Sequence, residues 1–299
     1  MTLAKNLRKY RAVYLMFLPV GLYVLIFNYV PYYGLVIAFQ KFSPFLGINK
    51  SPWVGMANFE FLFQSGDFFR LLKNTLLISL YRLVFGFPAP LIFALLLNEV
   101  KNMLFKRLAQ TITYLPHFLS WIIFGALMIS FLSPEGVINK LLAGWGYHPV
   151  EFLIGPEYFR TILVVTGTLK EFGWGAIIYL AALSGVDPTL YEAARVDGAS
   201  RWRQLWHVTL PALVPVTILL FIMQLAYILD AGFEQVYVFM NPTQYAVGDI
   251  IDTYVYRIGL TGSNFSVAAA MGLFKGVVGL FLIVSTNKLV KRMGHQPLW

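Results

Sequence analysis

Residues 186–211 read VDPTLYEAARVDGASRWRQLWHVTLP, a polar and charged stretch between two long apolar runs at 159–183 and 212–233. Asp187-Pro188 is a helix-start signal: an aspartate oxygen accepts from the free amides of a first turn, and proline, having no amide proton, fits there. Residues 190–196 are good helix formers, including Glu192, Ala193, Ala194 and Arg195. Gly198 permits a backbone turn that a side chain would resist. Ser200 can cap a second short helix through Arg201, Trp202, Gln204 and Leu205, and Pro211 opens the next apolar run. The stretch therefore reads as a helix, a turn at glycine and a helix. Physically it suits docking: Tyr191, Leu205 and Trp206 fill a groove on a partner while Glu192, Arg195, Arg201 and Arg203 pair charges around it. A solvated connection between spans is the alternative.

Each flanking run is long enough to cross about 30 Å of hydrocarbon, which takes about 20 apolar residues. Further runs at 12–39, 71–97, 110–132 and 266–289 give six membrane spans, an all-α membrane protein. Composition agrees. Of 299 residues 58% are hydrophobic and only 12% charged, where soluble domains carry about 25% charged. That excludes disorder, coiled coil and a typical soluble enzyme. The absence of cysteine excludes disulfides, thiolate metal sites and a cysteine nucleophile, and His117, His148, His207 and His295 have no metal-ligand spacing. Lys5, Arg8, Lys9 and Arg11 precede the first run as in a signal peptide, but the run is too long and no small-residue cleavage site follows, so it reads as a retained helix.

The net charge of +9 falls at one membrane face. Lys5, Arg8, Lys9, Arg11, Lys101, Lys106, Arg107, Arg195, Arg201, Arg203, Lys288, Lys291 and Arg292 share a side, against fewer on the other: Lys41, Lys50, Arg70, Lys73, Lys140, Arg160 and Arg257. Excess Lys and Arg mark cytoplasmic loops, so both termini are expected inside, and the basic charge needs no nucleic-acid partner. With no linker or repeat, residues 1–299 read as one membrane domain, with loop 186–211 inside and segments of about 40–70, 133–158 and 234–265 outside. Trp53, Phe59, Phe61, Phe63, Phe68 and Phe69 make the first of these amphipathic, lying along the membrane surface or forming an interfacial belt.

Glu192-Ala193-Ala194, three residues, Gly198, nine residues, then Val208-x-Leu210-Pro211 resembles the EAA loop of the permeases of binding-protein-dependent ABC importers, and it stands before the penultimate span as in that family. Val208 replaces the family's isoleucine. Asp197-Gly198-Ala199 resembles the carbohydrate branch, with which Trp53-Val54-Gly55, Asn58-Phe59, Asn74-Thr75 and Leu115-Pro116-His117 agree. GFEQVY at 232–237, Asn241-Pro242 and DTYVYR at 252–257 resemble the LplB-type subgroup. The resemblance implies a type I ABC importer permease fold in a bacterial cytoplasmic membrane. It implies coupling to an ATPase cleft through Tyr191, Glu192, Ala193, Ala194, Asp197, Gly198, Arg201, Leu210 and Pro211, with Glu192 pairing a basic group there and Gly198 giving the bend. Having no GxxxxGK[ST] stretch, the chain is expected to bind no cofactor and to leave ATP and magnesium to two separate ATPase subunits. A second related permease, an external solute-binding protein and a carbohydrate cargo, an oligosaccharide with acidic ones included, are implied as partners. A permease for another solute class and a secondary transporter are the alternatives; the latter has no need of this loop.

Arg82, Lys170, Glu171, Asp230 and Lys275 fall inside spans, where charge is costly and faces a partner or a cavity. Lys170 and Glu171 are neighbours about 100° apart on a helix and so each should meet another helix. Lys275 is expected to meet Asp230 or Glu171. Three roles stay open: interhelical ion pairs, attraction of an anionic sugar such as a uronate by Lys170 or Lys275, and pairs that break during gating. A sugar path needs flat apolar faces and hydrogen-bonding groups; Trp174, Gln224, Tyr227, Asp230 and Phe233 supply them, with Gln224, Tyr227 and, more loosely, Asp230 at helical spacing. Gly272, Gly276 and Gly279 form a small-residue stripe suited to a helix contact within the chain or with the second permease.

Overall fold

The computed structural model describes residues 9–292, so Lys5, Arg8 and His295 lie outside the described residues. Six helical stretches are long and apolar enough to cross a membrane: Arg11–Phe39, Gly66–Glu99, Trp121–Gly144, Pro156–Ser184, Arg201–Ala226 and Phe265–Lys288. The described chain is helical apart from turns and one isolated antiparallel bridge, Gln40 to Trp53. It packs as two units, one holding residues up to Gly66 with Val255–Phe274, the other Asp67–Tyr254 with Lys275 onward.

In the first unit, helix Arg11–Val24 buries none of its residues. Phe39 stacks on Trp53 at 5.6 Å and packs against Phe59, while Asn58 donates to the carbonyls of Ala38 and Gln40. These contacts bury Phe59; Trp53, Phe61 and Phe63 stay exposed.

The second unit is organised by the fourth span, Pro156–Ser184. Its buried residues Phe159, Ile162, Leu163, Thr166, Lys170, Gly173, Ala176, Tyr179 and Leu183 recur every three or four positions, one stripe of a helix. At one end the stripe packs with Ile78, Val236, Phe239 and Ile250. At the loop end it packs with Ala94 and Leu213. Lipid tails are as apolar as leucine, so close fit rather than water exclusion holds these helices. Glycines provide it: a Cβ on Gly173 would lie 2.2 Å from the Thr113 carbonyl oxygen, and one on Gly175 2.9 Å from Pro90. By contrast, a Cβ at Gly272, Gly276 or Gly279 would meet nothing within 4 Å among the described residues, so the stripe is not a contact within the described chain.

Two expected spans are drawn differently. The run at 110–132 is not one helix: Met103–Phe118 ends, Leu119 is extended, and Ser120 caps a new helix, Trp121–Leu132, through the Ile123 amide. The run at 212–233 stops at Ala226, and Gly232 takes a left-handed φ of 78° before helix Phe233–Phe239 begins. Asp230 therefore lies off the helix that was expected to carry it.

Three spans contain a widened π turn: Leu25–Tyr29, Arg82–Gly86 and Leu205–Thr209. Each is followed, after one residue, by proline: Pro31, Pro88 and Pro211. Proline lacks an amide proton and its ring crowds the carbonyl four residues back. Widening the turn lets the amide just before the proline reach five residues back instead, as Val30 to Leu25, Phe87 to Arg82 and Leu210 to Leu205 do.

Candidate functional site

The loop at 186–211 forms the predicted helix, glycine turn and helix. The Asp187 carboxylate accepts from the Thr189 amide at 2.9 Å and starts helix Pro188–Val196; that bond holds its pKa below the ordinary carboxylate value. The helix ends where Gly198 donates to the Arg195 carbonyl and Ala199 to the Ala194 carbonyl, with Gly198 at φ 74°. This pair of bonds is the Schellman stop, which requires the left-handed residue that glycine adopts without strain. Ser200 accepts from the Arg203 amide and opens helix Arg201–Gln204. That helix is not a separate short piece: it runs through the π turn into Leu210–Ala226, so Pro211 lies inside one continuous helix.

The chain braces the loop from behind. The Tyr191 hydroxyl is 3.0 Å from Thr209 Oγ1, and Gln204 donates to the Ala199 carbonyl. Tyr191 and Leu205 are thus half-buried rather than free to fill a partner groove. What projects outward is Glu192, which has no ion-pair partner among the described residues, together with Val196, Trp202 and Trp206. Ala193, Asp197 and Pro211 are exposed, Ala194 and Leu210 half-buried, and exposed Arg201 lies 3.8 Å from Glu99.

Deeper in the same unit a cavity of about 480 Å³ opens between the second, fourth and fifth spans. Trp121, Phe172, Trp174 and Tyr227 supply aromatic surface; Arg82, Thr168, Glu171, Gln224 and Gln235 supply polar groups. A second recess of about 630 Å³ runs along the same fourth span past Glu157, Arg160 and Thr161 and shares Thr168 with the first. From Glu157 to Ile178 the helix rises about 32 Å, roughly the thickness of a bilayer core.

The structure brings Glu171, Trp174, Gln224 and Tyr227 together at this cavity. Glu171 meets His117 at 2.8 Å, and the His117 ring stacks on Trp174 at 4.4 Å. Asp230 lies beside them in a small recess with Arg82, Gln224 and Tyr227. Lys170 and Lys275 are placed elsewhere. The Lys170 ammonium is buried and donates to the carbonyls of Pro116, His117 and Leu119, over the Trp121 ring; Glu171 is its helix neighbour at 3.9 Å. It neutralises the open end of helix Met103–Phe118, where carbonyl dipoles converge. Lys275 pairs with neither Asp230 nor Glu171; it donates to both oxygens of Asp252 at 2.7 Å. The sequence offered Asp252 no basic partner, because the two are joined only by the fold.

Arg82 is the basic residue that does line the cavity. Its guanidinium donates to Gln235, whose own amide nitrogen donates to the Leu163 carbonyl and Thr166 Oγ1, both at 2.7 Å. Sequence reasoning noted Arg82 as a charge in a span and assigned it nothing. Its positioning residues, Gly232 and Gln235, sit in the GFEQVY stretch, and no hydropathy pattern marks them.

Residues 86–295 match the family described as binding-protein-dependent transport system inner membrane component. The chain is 47% identical over 287 residues to the polygalacturonan/rhamnogalacturonan transport system permease protein YteP of Bacillus subtilis (strain 168), covering 96% of this chain and 89% of that one. It is 46% identical over 294 residues to protein LplB of the same organism, covering 98% and 92%. Among solved structures, a chain of a bacterial alginate ABC transporter in complex with an alginate pentasaccharide-bound periplasmic protein superposes with a TM-score of 0.92 at 40% identity, covering 99% of each. With six spans of the required length and the same fold, this chain belongs to the binding-protein-dependent transport system inner membrane components, as a type I ABC permease of the LplB-type subgroup.

Proposed function

We propose that this chain is one of two related permeases in an ATP-driven importer of acidic, uronate-containing oligosaccharides. An external solute-binding protein delivers the cargo; two ATPase subunits, which hold ATP and magnesium, drive the cycle. The names of two similar proteins support the cargo class, since polygalacturonan and alginate are both chains of uronates. The single observation that carries the mechanism is the loop at 186–211. It is braced from within by Tyr191–Thr209 and presents Glu192, Val196, Trp202 and Trp206 outward. A carboxylate with no ion-pair partner among the described residues, on a loop that also exposes large apolar side chains, suits a docking surface. In this reading it lies on the cytoplasmic side with Lys106, Arg107, Lys288 and both termini. Closure of the ATPases moves the loop as a body and rocks the spans around the cavity.

The test is the importer reconstituted in vesicles with its binding protein and ATPases. Glu192→Ala and Gly198→Asp are expected to abolish ATP-driven uptake while the permease stays in the membrane. At Gly198 a Cβ meets no neighbour, so the defect arises from the strained φ and the misplaced second helix. Normal uptake by both variants would overturn the coupling assignment.

A further inference from the structure

We infer that Arg82 is the carboxylate anchor of the cavity, the side chain that selects acidic sugar units as they cross. The inference rests on the reading above that the cargo is a uronate oligosaccharide. Three observations carry it. First, of the residues lining the cavity Arg82 alone is basic, and the two lysines expected to draw an anion are spent, Lys170 on three carbonyls and Lys275 on Asp252. Second, Arg82 is aimed. Gln235 is fully buried, and because its nitrogen is committed to Leu163 and Thr166, its oxygen must accept from Arg82. Gly232 makes room: at φ 78° it leaves space where a Cβ would lie 2.3 Å from Arg82 Nη1. Third, the charge is not cancelled at contact. Among the described residues no carboxylate lies within ion-pair distance of the guanidinium, and its buried Nε has no acceptor. Asp230 and Glu171 act on the guanidinium from nearby without touching it, and each makes its hydrogen bond elsewhere, Glu171 with His117 and Asp230 with the Gly232 amide.

An arginine kept inside a membrane without a contact ion pair is costly unless something negative arrives. The guanidinium fork matches a carboxylate with two parallel bonds, which an ammonium does not reproduce. Trp174 and Tyr227, lining the same cavity, offer aromatic surface for the C–H face of a sugar ring, while Arg82 reads the group that separates a uronate from its neutral parent.

The experiment uses the whole importer in vesicles and two cargoes, an oligogalacturonate and the same oligosaccharide with its carboxylates reduced to alcohols. The binding protein is the same throughout, so a change in the ratio of the two uptakes belongs to the permease. Wild type should favour the uronate. Arg82→Met should lower that ratio by about tenfold or more, the scale of one charged hydrogen-bonded contact, and Arg82→Lys should restore it only in part. Gln235→Leu and Gly232→Ala, which leave the arginine but release its aim, should move the ratio the same way; a merely structural role would lower both uptakes alike. Should Arg82→Met fail to copurify with its partners, Arg82→Gln carries the same comparison. A wild type that carries the uronate, with a ratio unmoved by these variants, overturns the assignment to Arg82 alone. A wild type that carries only the reduced sugar overturns the cargo class, and this inference with it.

Discussion

Lys170 shows how far one residue's role depends on its partners. In sequence it is a cation in an apolar helix, and attraction of an anion is a fair expectation. In the structure its ammonium satisfies three carbonyls where helix Met103–Phe118 breaks off. The Pro116 carbonyl would keep the Leu119 amide, but the His117 and Leu119 carbonyls would lose the ammonium, so Lys170→Met should destabilise the permease by about 2 kcal/mol or more. The loss should appear as a lower unfolding temperature and lower yield, with uptake of acidic and neutral sugars reduced in the same proportion. A selective loss of acidic uptake would return Lys170 to the pathway. Glu171, its neighbour, reaches the same helix end: it meets the His117 ring while Lys170 takes the His117 carbonyl, so both charges find their partners on the neighbouring helix, as two adjacent positions unable to pair squarely with each other should.

At the scale of elements, spans and loop were legible because their signals are local. Length and apolarity mark a span, and Asp187, Gly198 and Ser200 mark the ends of the loop helices by their own chemistry. The break at Leu119–Ser120 was hidden, since the apolar run continues across it; only Pro116 and Ser120 hinted at a stop. Helix contacts were hidden too. The stripe of Gly272, Gly276 and Gly279 has the spacing of a contact but touches no described residue, whereas Gly173 and Gly175, unremarkable in sequence, carry the fourth span against Thr113 and Pro90. Gly173→Ala should therefore cost about 1–3 kcal/mol by forcing the helices apart. Gly276→Ala should leave the chain's own stability unchanged. Thermal unfolding of both variants separates the two glycines.

At the scale of the whole molecule the ionic pairings matter most, and sequence could not supply them. Lys275 on the last helix reaches Asp252, and Arg160 on the fourth span donates to Asn74 and to the Val247 carbonyl, fixing the segment at 246–254 that follows helix Phe233–Phe239. A double-mutant cycle with Lys275→Met and Asp252→Asn should give a coupling of about 1–3 kcal/mol in unfolding stability; additive effects would mean the pair contributes nothing to the fold. The helix from Arg201 to Ala226 has a further consequence. It carries Trp202 and Trp206 at one end and Gln224 at the other with no break between them, so the angle between docking surface and cavity wall is a matter of residue count. The π turn at Leu205–Thr209 holds one residue more than an α turn. Deleting a residue from that turn would close it to an ordinary α turn and leave the two ends in phase, whereas deleting one from the α-helix beyond it, Leu210–Ala226, would rotate one working end by about 100° against the other. A protein that tolerates many substitutions in that α-helix should tolerate no change in its length.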